Sequence, residues 1–374
     1  MLIIPPVLVE CLQCFDGRQT DLDLRAVLVR ITGSLDVSGI QQNLTATLSG
    51  AGFLEDDAFE QMRDQRQSAF AAGAVREPAH AGSAYPAETG ALRETMQRYM
   101  KGSAVAAADG SLVGIAAPHV SPEGGWQSYR EAYSLLGQEH AARTCVILAT
   151  SHYGAPERFG LTRKDFSTPL GTATADTRLI DWLAARGGPA VDMEDYCFAF
   201  EHTVEFQVVF LQHVLGPDVR ILPILCGPFA QSLLNGGNPE DDEQVRRFFG
   251  ALGELQAMEG DRLLWVLGVD MAHMGSRYGD GFHARAHQGV MAEVEARDQS
   301  RLARITAADP AGFWDLVQEK RDDLKWCGSA PFYTFLKSIS GLRGEVLRYE
   351  QWNIDPNSVV SFAGMAFTRA EPSA

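Results

Sequence analysis

Leu263-Leu264-Trp265-Val266-Leu267-Gly268-Val269 is an unbroken apolar run, and Asp270-Met271-Ala272-His273 follows it at once. A run this short, apolar at every position, reads as a strand covered on both faces, the kind found in parallel sheets. The pattern recurs upstream. Residues 112–117 are apolar and end in Pro118-His119, and residues 145–150 end in Ser151-His152. Residues 219–226 and 359–367 read as two further buried strands. Between these runs, apolar residues repeat at three- and four-residue spacing over 90–100, 178–185, 204–214, 242–258, 284–307 and 311–321, which predicts helices. The last is opened by Asp309-Pro310, an N-cap followed by proline in the first turn. Strand and helix therefore alternate from residue 77 onward, the order of an α/β domain with a central sheet flanked by helices.

The position of the reactive residues follows from that reading. In open α/β sheets, ligands and catalytic groups gather beyond the carboxyl ends of the strands. Three strands deliver a histidine there (His119, His152 and His273), and one also delivers Asp270. Three of the nine histidines in the chain thus belong to one rim, although hydrogen bonding alone can also account for histidines at strand ends. Two candidates lie outside the strands. Glu201-His202-Thr203-Val204-Glu205 opens a helix and puts His202 and Glu205 on one face; an inverted zinc-peptidase pattern would need histidine where Phe206 stands. Cys327 lies in the turn Trp326-Cys327-Gly328-Ser329 ahead of a helix over 330–338. A helix N-terminus lowers a thiol pKa and favours the thiolate that binds metals; an inert buried thiol is the alternative. No phosphate-binding loop, nucleophile elbow or dinucleotide-binding glycine turn is present.

The chain of 374 residues carries a net charge of −16, which disfavours nucleic acid and anionic membranes as partners. No stretch has the ~20 apolar residues of a membrane span, and the apolar start lacks the basic region and cleavage site of a signal peptide. Six cysteines in a chain this long do not form a disulfide framework, so a cytoplasmic protein with free thiols is expected. Residues 1–75 read as a separate small unit: a strand over 3–12, a turn at Phe15-Asp16-Gly17-Arg18, and helices over 21–32, 37–48 and 56–71. Hairpin plus three helices predicts a winged-helix-like α+β module. With ten acids, five arginines and no lysine, it suits docking of a protein or peptide better than DNA; packing or dimerisation is the alternative. Cys11 and Cys14 form one CxxC pair, which supplies only two zinc ligands and, on a strand, would point to opposite faces.

Taken together, several segments make the chain recognisable. Arg76-Glu77-Pro78-Ala79-His80-Ala81-Gly82-Ser83-Ala84-Tyr85-Pro86, Ala117-Pro118-His119, Thr150-Ser151-His152, Thr168-Pro169-Leu170-Gly171, Glu201-His202-Thr203-Val204-Glu205, Val269-Asp270-Met271-Ala272-His273-Met274-Gly275 and Cys327-Gly328 resemble, in order, the motifs of Memo-family proteins. The resemblance covers about 77–370 and is strongest to bacterial members encoded beside a radical-SAM enzyme. It implies a fold similar to LigB-type class III extradiol dioxygenases, which hold non-haem Fe(II) with two histidines and a carboxylate. In Memo proteins a cysteine stands where that carboxylate would be. The resemblance therefore implies His119, His152 and Cys327 as metal ligands, His273 as general acid/base, Asp270 in the cleft, and Glu201, His202 and Glu205 as cleft or supporting residues. Two departures stand out. Pro118-His119-Val120-Ser121-Pro122 replaces the Pro-His-Ala-Gly-Tyr of many relatives, and Tyr153 replaces a second histidine after His152, where it can donate a hydrogen bond to substrate.

The function these features imply is a non-haem Fe(II) dioxygenase-type oxidoreductase acting on a small-molecule or peptide-borne substrate, with copper or zinc as other metals a thiolate suits. The module at residues 1–75 would dock the radical-SAM partner or a peptide, and residues 76–374 would form the metal-binding domain. Two alternatives belong to other classes: a metal-binding or docking module without catalysis, and a zinc hydrolase.

Overall fold

A computed structural model describes residues 2–102 and 112–370 of the chain. It divides between Ala72 and Gly73 into two compact units.

Every regular element of the first unit is a helix among its described residues. Helices Asp21–Thr32, Ser38–Gly50 and Asp57–Ala72 form where the apolar spacing predicts them. The first has a full capping box, Thr20 with Asp23, and ends at Gly33 in the left-handed conformation. The expected strand over 3–12 is instead a 3-10 helix, Pro6–Cys14. Pro5 and Pro6 set φ near the helical value, and proline is favoured where a helix begins. The hairpin on which the winged-helix reading rested does not form. The helical spacing also changes the reading of the CxxC pair. Cys11 and Cys14 fall on one face and are both buried with Leu24, Leu28, Val37, Leu44 and Leu48.

The second unit is a mixed α/β domain around a 12-stranded sheet. Its centre runs Arg220–Cys226, Thr144–Thr150, Leu263–Gly268, Leu112–Ala117, all parallel, and Ser358–Arg369 joins antiparallel beside Leu112–Ala117. Side chains alternate across the strands. Val146, Leu148, Leu222, Ile224, Trp265 and Leu267 share a core with helices Thr177–Gly187, Glu243–Glu259 and Ser329–Ser338. Helix Thr203–Leu215 packs on Thr144–Thr150 and Leu263–Gly268, and its Phe210 stacks on Tyr129 of helix Pro122–Tyr133 at 4.2 Å. Asp309 caps helix Pro310–Gln318 by accepting the Gly312 N–H, as its sequence predicts. Two elements depart from the sequence reading. The helix expected from 284 begins at Val290, and residues 342–355 form a long strand, Leu342–Asp355, paired antiparallel with Ser358–Arg369.

Strand register decides where the reactive residues emerge. Gly268 lies opposite both Ala117 and Ala149, and Thr150 lies opposite Cys226. The carboxyl ends of four adjacent strands are thus level, so His119, His152 and Asp270, each two residues beyond a strand end, leave the sheet at one rim.

Candidate metal centre

The rim is closed from one side by the start of helix Thr203–Leu215. Thr203 Oγ1 donates to the Thr150 carbonyl at 2.8 Å, and Gln207 Nε2 donates to the Pro118 carbonyl at 2.8 Å. These bonds hold the helix entry over the ends of two strands. A side chain at Gly268 would meet the Thr203 carbonyl at 2.7 Å, so this approach requires glycine.

Glu201 and His202, immediately before that helix, are thereby set beside His152. The buried Glu201 carboxylate accepts the backbone N–H of His152 at 2.8 Å and of His202 at 2.9 Å. It also accepts from Nδ1 of His152 at 3.1 Å and lies 3.1 Å from Nδ1 of His202. The two rings stack nearly parallel, 9° apart with centroids at 5.1 Å. Burial would raise the Glu201 pKa, but the hydrogen bonds and charges of these imidazoles outweigh it and hold the carboxyl far below the usual range. Burial would likewise lower the His152 pKa; hydrogen bonding and charge from Glu201 raise it instead.

His119 is buried from the other side. Its Nδ1 donates to the Gly268 carbonyl at 3.0 Å, which leaves the Nε2 lone pair facing Cys327 Sγ at 3.3 Å. Burial, then the neighbouring charges of His152 and His202, hold it well below its ordinary pKa and therefore neutral, the form that binds metals. With Nδ1 engaged on every ring, Nε2 of each is the atom left for a ligand. The donor atoms of His119, His152 and His202 all lie within 4.8 Å of one another.

Cys327 Sγ is 3.3 Å from His119 Nε2. Its turn is held by Gly328, whose N–H donates to the Asp270 carbonyl at 3.0 Å and whose absent side chain would meet that oxygen at 2.6 Å. The helix that follows does not depress the thiol pKa as the sequence suggested. Burial and then the Asp270 charge push it well above the ordinary value. Asp270 is itself buried; its Oδ1 accepts the His119 backbone N–H at 2.9 Å, and Oδ2 lies 3.5 Å from His119 Nε2. Burial raises its pKa against the opposing influence of His273 and that N–H. His273 is positioned by pairing with Val360. Its Nδ1 donates to the Met271 carbonyl at 2.9 Å, leaving Nε2 as an acceptor, and burial lowers its pKa.

His119, His152, His202, Asp270, His273 and Cys327 together line one cleft of about 530 Å³. Tyr153 stands at the rim, 64% exposed, edge-on to Phe200 at 4.9 Å. Glu205 faces elsewhere. It is fully buried, paired with Arg76, bonded to the Tyr85 hydroxyl, and accepts the His80 N–H at 3.0 Å. Arg76 also donates to the Glu201 carbonyl at 2.9 Å. Glu205 thus ties the segment from Arg76 to Tyr85 to the helix that carries His202. The cleft contains residues that local reading of the sequence passes over: Arg277, Tyr278, Lys325 and Trp352. Tyr278 sits edge-on to His273 at 4.9 Å, and Gly-Ser-Arg-Tyr directly after the His273 motif is the signal that places it there.

A family model for Memo-like proteins matches residues 76–366. The chain belongs to the Memo-like family. It is similar to a MEMO1 family protein of Aquifex aeolicus, 25% identical over 98% of this chain and 92% of the relative. MEMO1 family proteins of Methanopyrus kandleri and Thermococcus kodakarensis are 27% and 26% identical, each over 79% of this chain and 99% and 100% of the relative. The archaeal relatives are thus matched end to end by about four fifths of this chain, whereas the Aquifex relative is matched over nearly all of it. The six cysteines are free, and no helix among the described residues is long and apolar enough to cross a membrane.

Proposed function

We propose that this Memo-like protein is a mononuclear non-haem metal enzyme, an Fe(II)-dependent dioxygenase-type oxidoreductase, with its metal in the cleft at the strand ends. The observation that carries the reading is the convergence of three imidazoles, each engaged through Nδ1 with Nε2 as its remaining nitrogen, beside a thiol that touches one of them.

The donor set fits a metal. Metal–sulfur and metal–nitrogen bonds of about 2.3 and 2.0 Å put tetrahedral donor atoms roughly 3.5 Å apart, close to the 3.3 Å between Cys327 Sγ and His119 Nε2. We assign His119, His152 and Cys327 as ligands, with His202 as a fourth nitrogen in reach. Cys327 ranks above His202 because its thiolate supplies negative charge that neutral imidazoles lack. Bound iron would supply Lewis acidity and one-electron chemistry at this point. Glu201 fixes the ring orientation of His152 and His202. His273, neutral and with Nε2 open to the cleft, accepts a proton from a substrate hydroxyl. Tyr153 and Tyr278 offer phenol donors around the same space.

The test is metal content of protein prepared without oxygen, in wild type and in His119→Ala, His202→Ala and Cys327→Ala. About one iron per chain is expected in wild type, with losses larger in Cys327→Ala than in His202→Ala. The reverse ranking would make His202 the third ligand. Wild-type protein that takes up neither Fe(II), Cu(I) nor Zn(II) would sink the metal centre. A zinc hydrolase is the second reading, favoured by the three-imidazole group, since three histidines and one open position also make a catalytic zinc site. Zinc in the isolated protein, with ester or peptide hydrolysis and no oxygen uptake, would support it.

A further inference from the structure

The charges around the cleft are unevenly balanced. Asp270 is buried with an oxygen on the His119 N–H. Lys325 Nζ is matched by Asp280 at 2.8 Å. Arg277 remains. It lies on the turn Ser276–Tyr278, with its N–H donating to Ser358 Oγ at 3.0 Å. Among the described residues, no carboxylate stands within ion-pair distance of its guanidinium. Arg277 is exposed and lines the same cleft as the donor set, next to Tyr278.

One wall of the cleft is apolar. Val120 and Val360 join Tyr278, Trp352 and Ile354 in a cluster separate from the main core, and all of them line the cleft. Trp352 and Ile354 come from the long strand Leu342–Asp355. The cleft thus combines candidate metal donors, an apolar wall that includes the Trp352 ring, and an exposed guanidinium without an ion-pair partner. In a chain of net charge −16, an unmatched, exposed arginine on the lining of a cleft gives an anion a local preference that most of the surface opposes. The planar fork of a guanidinium matches a carboxylate with two parallel hydrogen bonds.

We propose that the cleft takes a flat apolar carboxylate, its ring against Trp352, Ile354 and Val360 and its carboxylate on Arg277. This rests on the reading of the cleft as the substrate site, and the test separates the two. The probes are 2-naphthoate and 2-naphthamide, nearly equal in shape and different in charge, titrated by ligand-detected NMR into metal-free wild type, Arg277→Gln and Arg277→Lys. Without metal, a carboxylate cannot gain affinity by coordination. Wild type is expected to bind the naphthoate about tenfold more tightly than the amide. Arg277→Gln should lose that preference, and Arg277→Lys should keep part of it, because an ammonium keeps the charge without the fork. Equal binding of the two probes, no binding of the naphthoate, or a preference that survives in Arg277→Gln would overturn the proposal. Metal uptake by the same three proteins is measured separately. Its failure in all three tells against the metal centre, whereas a lost carboxylate preference with intact uptake concerns Arg277 alone.

Discussion

Replacing Glu201 by glutamine should weaken metal binding more than its distance from the metal would suggest. The carboxylate accepts two backbone N–H groups and serves Nδ1 of both His152 and His202. Glutamine keeps one acceptor oxygen and offers an NH2 group in place of the other. With its oxygen in the Oε2 place, where it accepts the His152 backbone N–H, its NH2 group faces Nδ1 of His202. An unsatisfied donor in a buried site costs about 1–3 kcal/mol. The ring escapes that cost by moving its proton to Nε2, the nitrogen the metal needs. Metal binding must reverse the move, so the same cost returns as lost affinity, about 10- to 100-fold, the range found for such supporting partners of ligand histidines. The assay is chelator competition with Zn(II) as a redox-silent probe, paired with 15N shifts of the His202 ring to read its tautomer. Unchanged affinity with an unchanged tautomer would refute the argument that Glu201 sets the ligand nitrogens.

Four further outcomes follow from the geometry. Glu205→Ala leaves the Arg76 guanidinium buried without its partner, so urea unfolding should show a loss of about 3–5 kcal/mol; a loss under about 1 kcal/mol would contradict the buried pair. Gly328→Ala sets a methyl 2.6 Å from the Asp270 carbonyl and should cost about 1–3 kcal/mol while weakening metal binding, because the turn carrying Cys327 must move; normal stability with normal affinity would refute that. Metal binding should release about one proton from Cys327 near pH 8, since its raised pKa keeps the thiol protonated there, so calorimetry in buffers of different ionisation heat should read one proton in wild type and none in Cys327→Ala. The metal-free protein should show the opposite pH trend from metal affinity in one respect. The His152 pKa is raised by Glu201, so that pair stabilises the fold fully below about pH 6.5, and its contribution fades as pH rises through the raised value. Thermal melts of metal-free wild type and His152→Ala across pH 5–9 check the sign.

Local sequence carried most of the scaffold because the central strands are apolar at every position and end in abrupt polar residues. Leu112–Ala117 and Leu263–Gly268 need no partner to be recognised. Leu342–Asp355 escaped because it is mostly half-exposed, with charged residues along one face, and only Gln351 and Leu342 are buried. Its strand character comes from pairing with Ser358–Arg369, a tertiary cause. The N-terminal error has a local cause: apolar residues over 3–12 suit either a strand or a helix, and Pro5-Pro6 with the three-residue spacing of Cys11 and Cys14 decides for the helix. At the candidate site, strand-end position alone brought His119, His152, Asp270 and His273 to one rim. The closeness of His202 to the first two was not legible, since it depends on Glu201 bridging a helix start and a strand end 49 residues away. Nor was the Cys327 environment, where burial against Asp270 outweighs the helix that follows.

The same contrast explains how the centre is built. Strand register alone levels the ends of the sheet, but it cannot orient an imidazole. Orientation comes from acceptors placed by other elements: the Gly268 carbonyl for His119, the Met271 carbonyl for His273, and one carboxylate for both His152 and His202. The Glu201 that serves two rings is held through its backbone from outside the cleft, by Arg76 on its carbonyl, with Glu205 paired to Arg76. The segment from Arg76 to Tyr85, which opens the matched region and contains no residue of the cleft, is in this view a support for the His152 and His202 rings. Its removal should disorder the histidines before it unfolds the sheet, because the strands are held by their own apolar core.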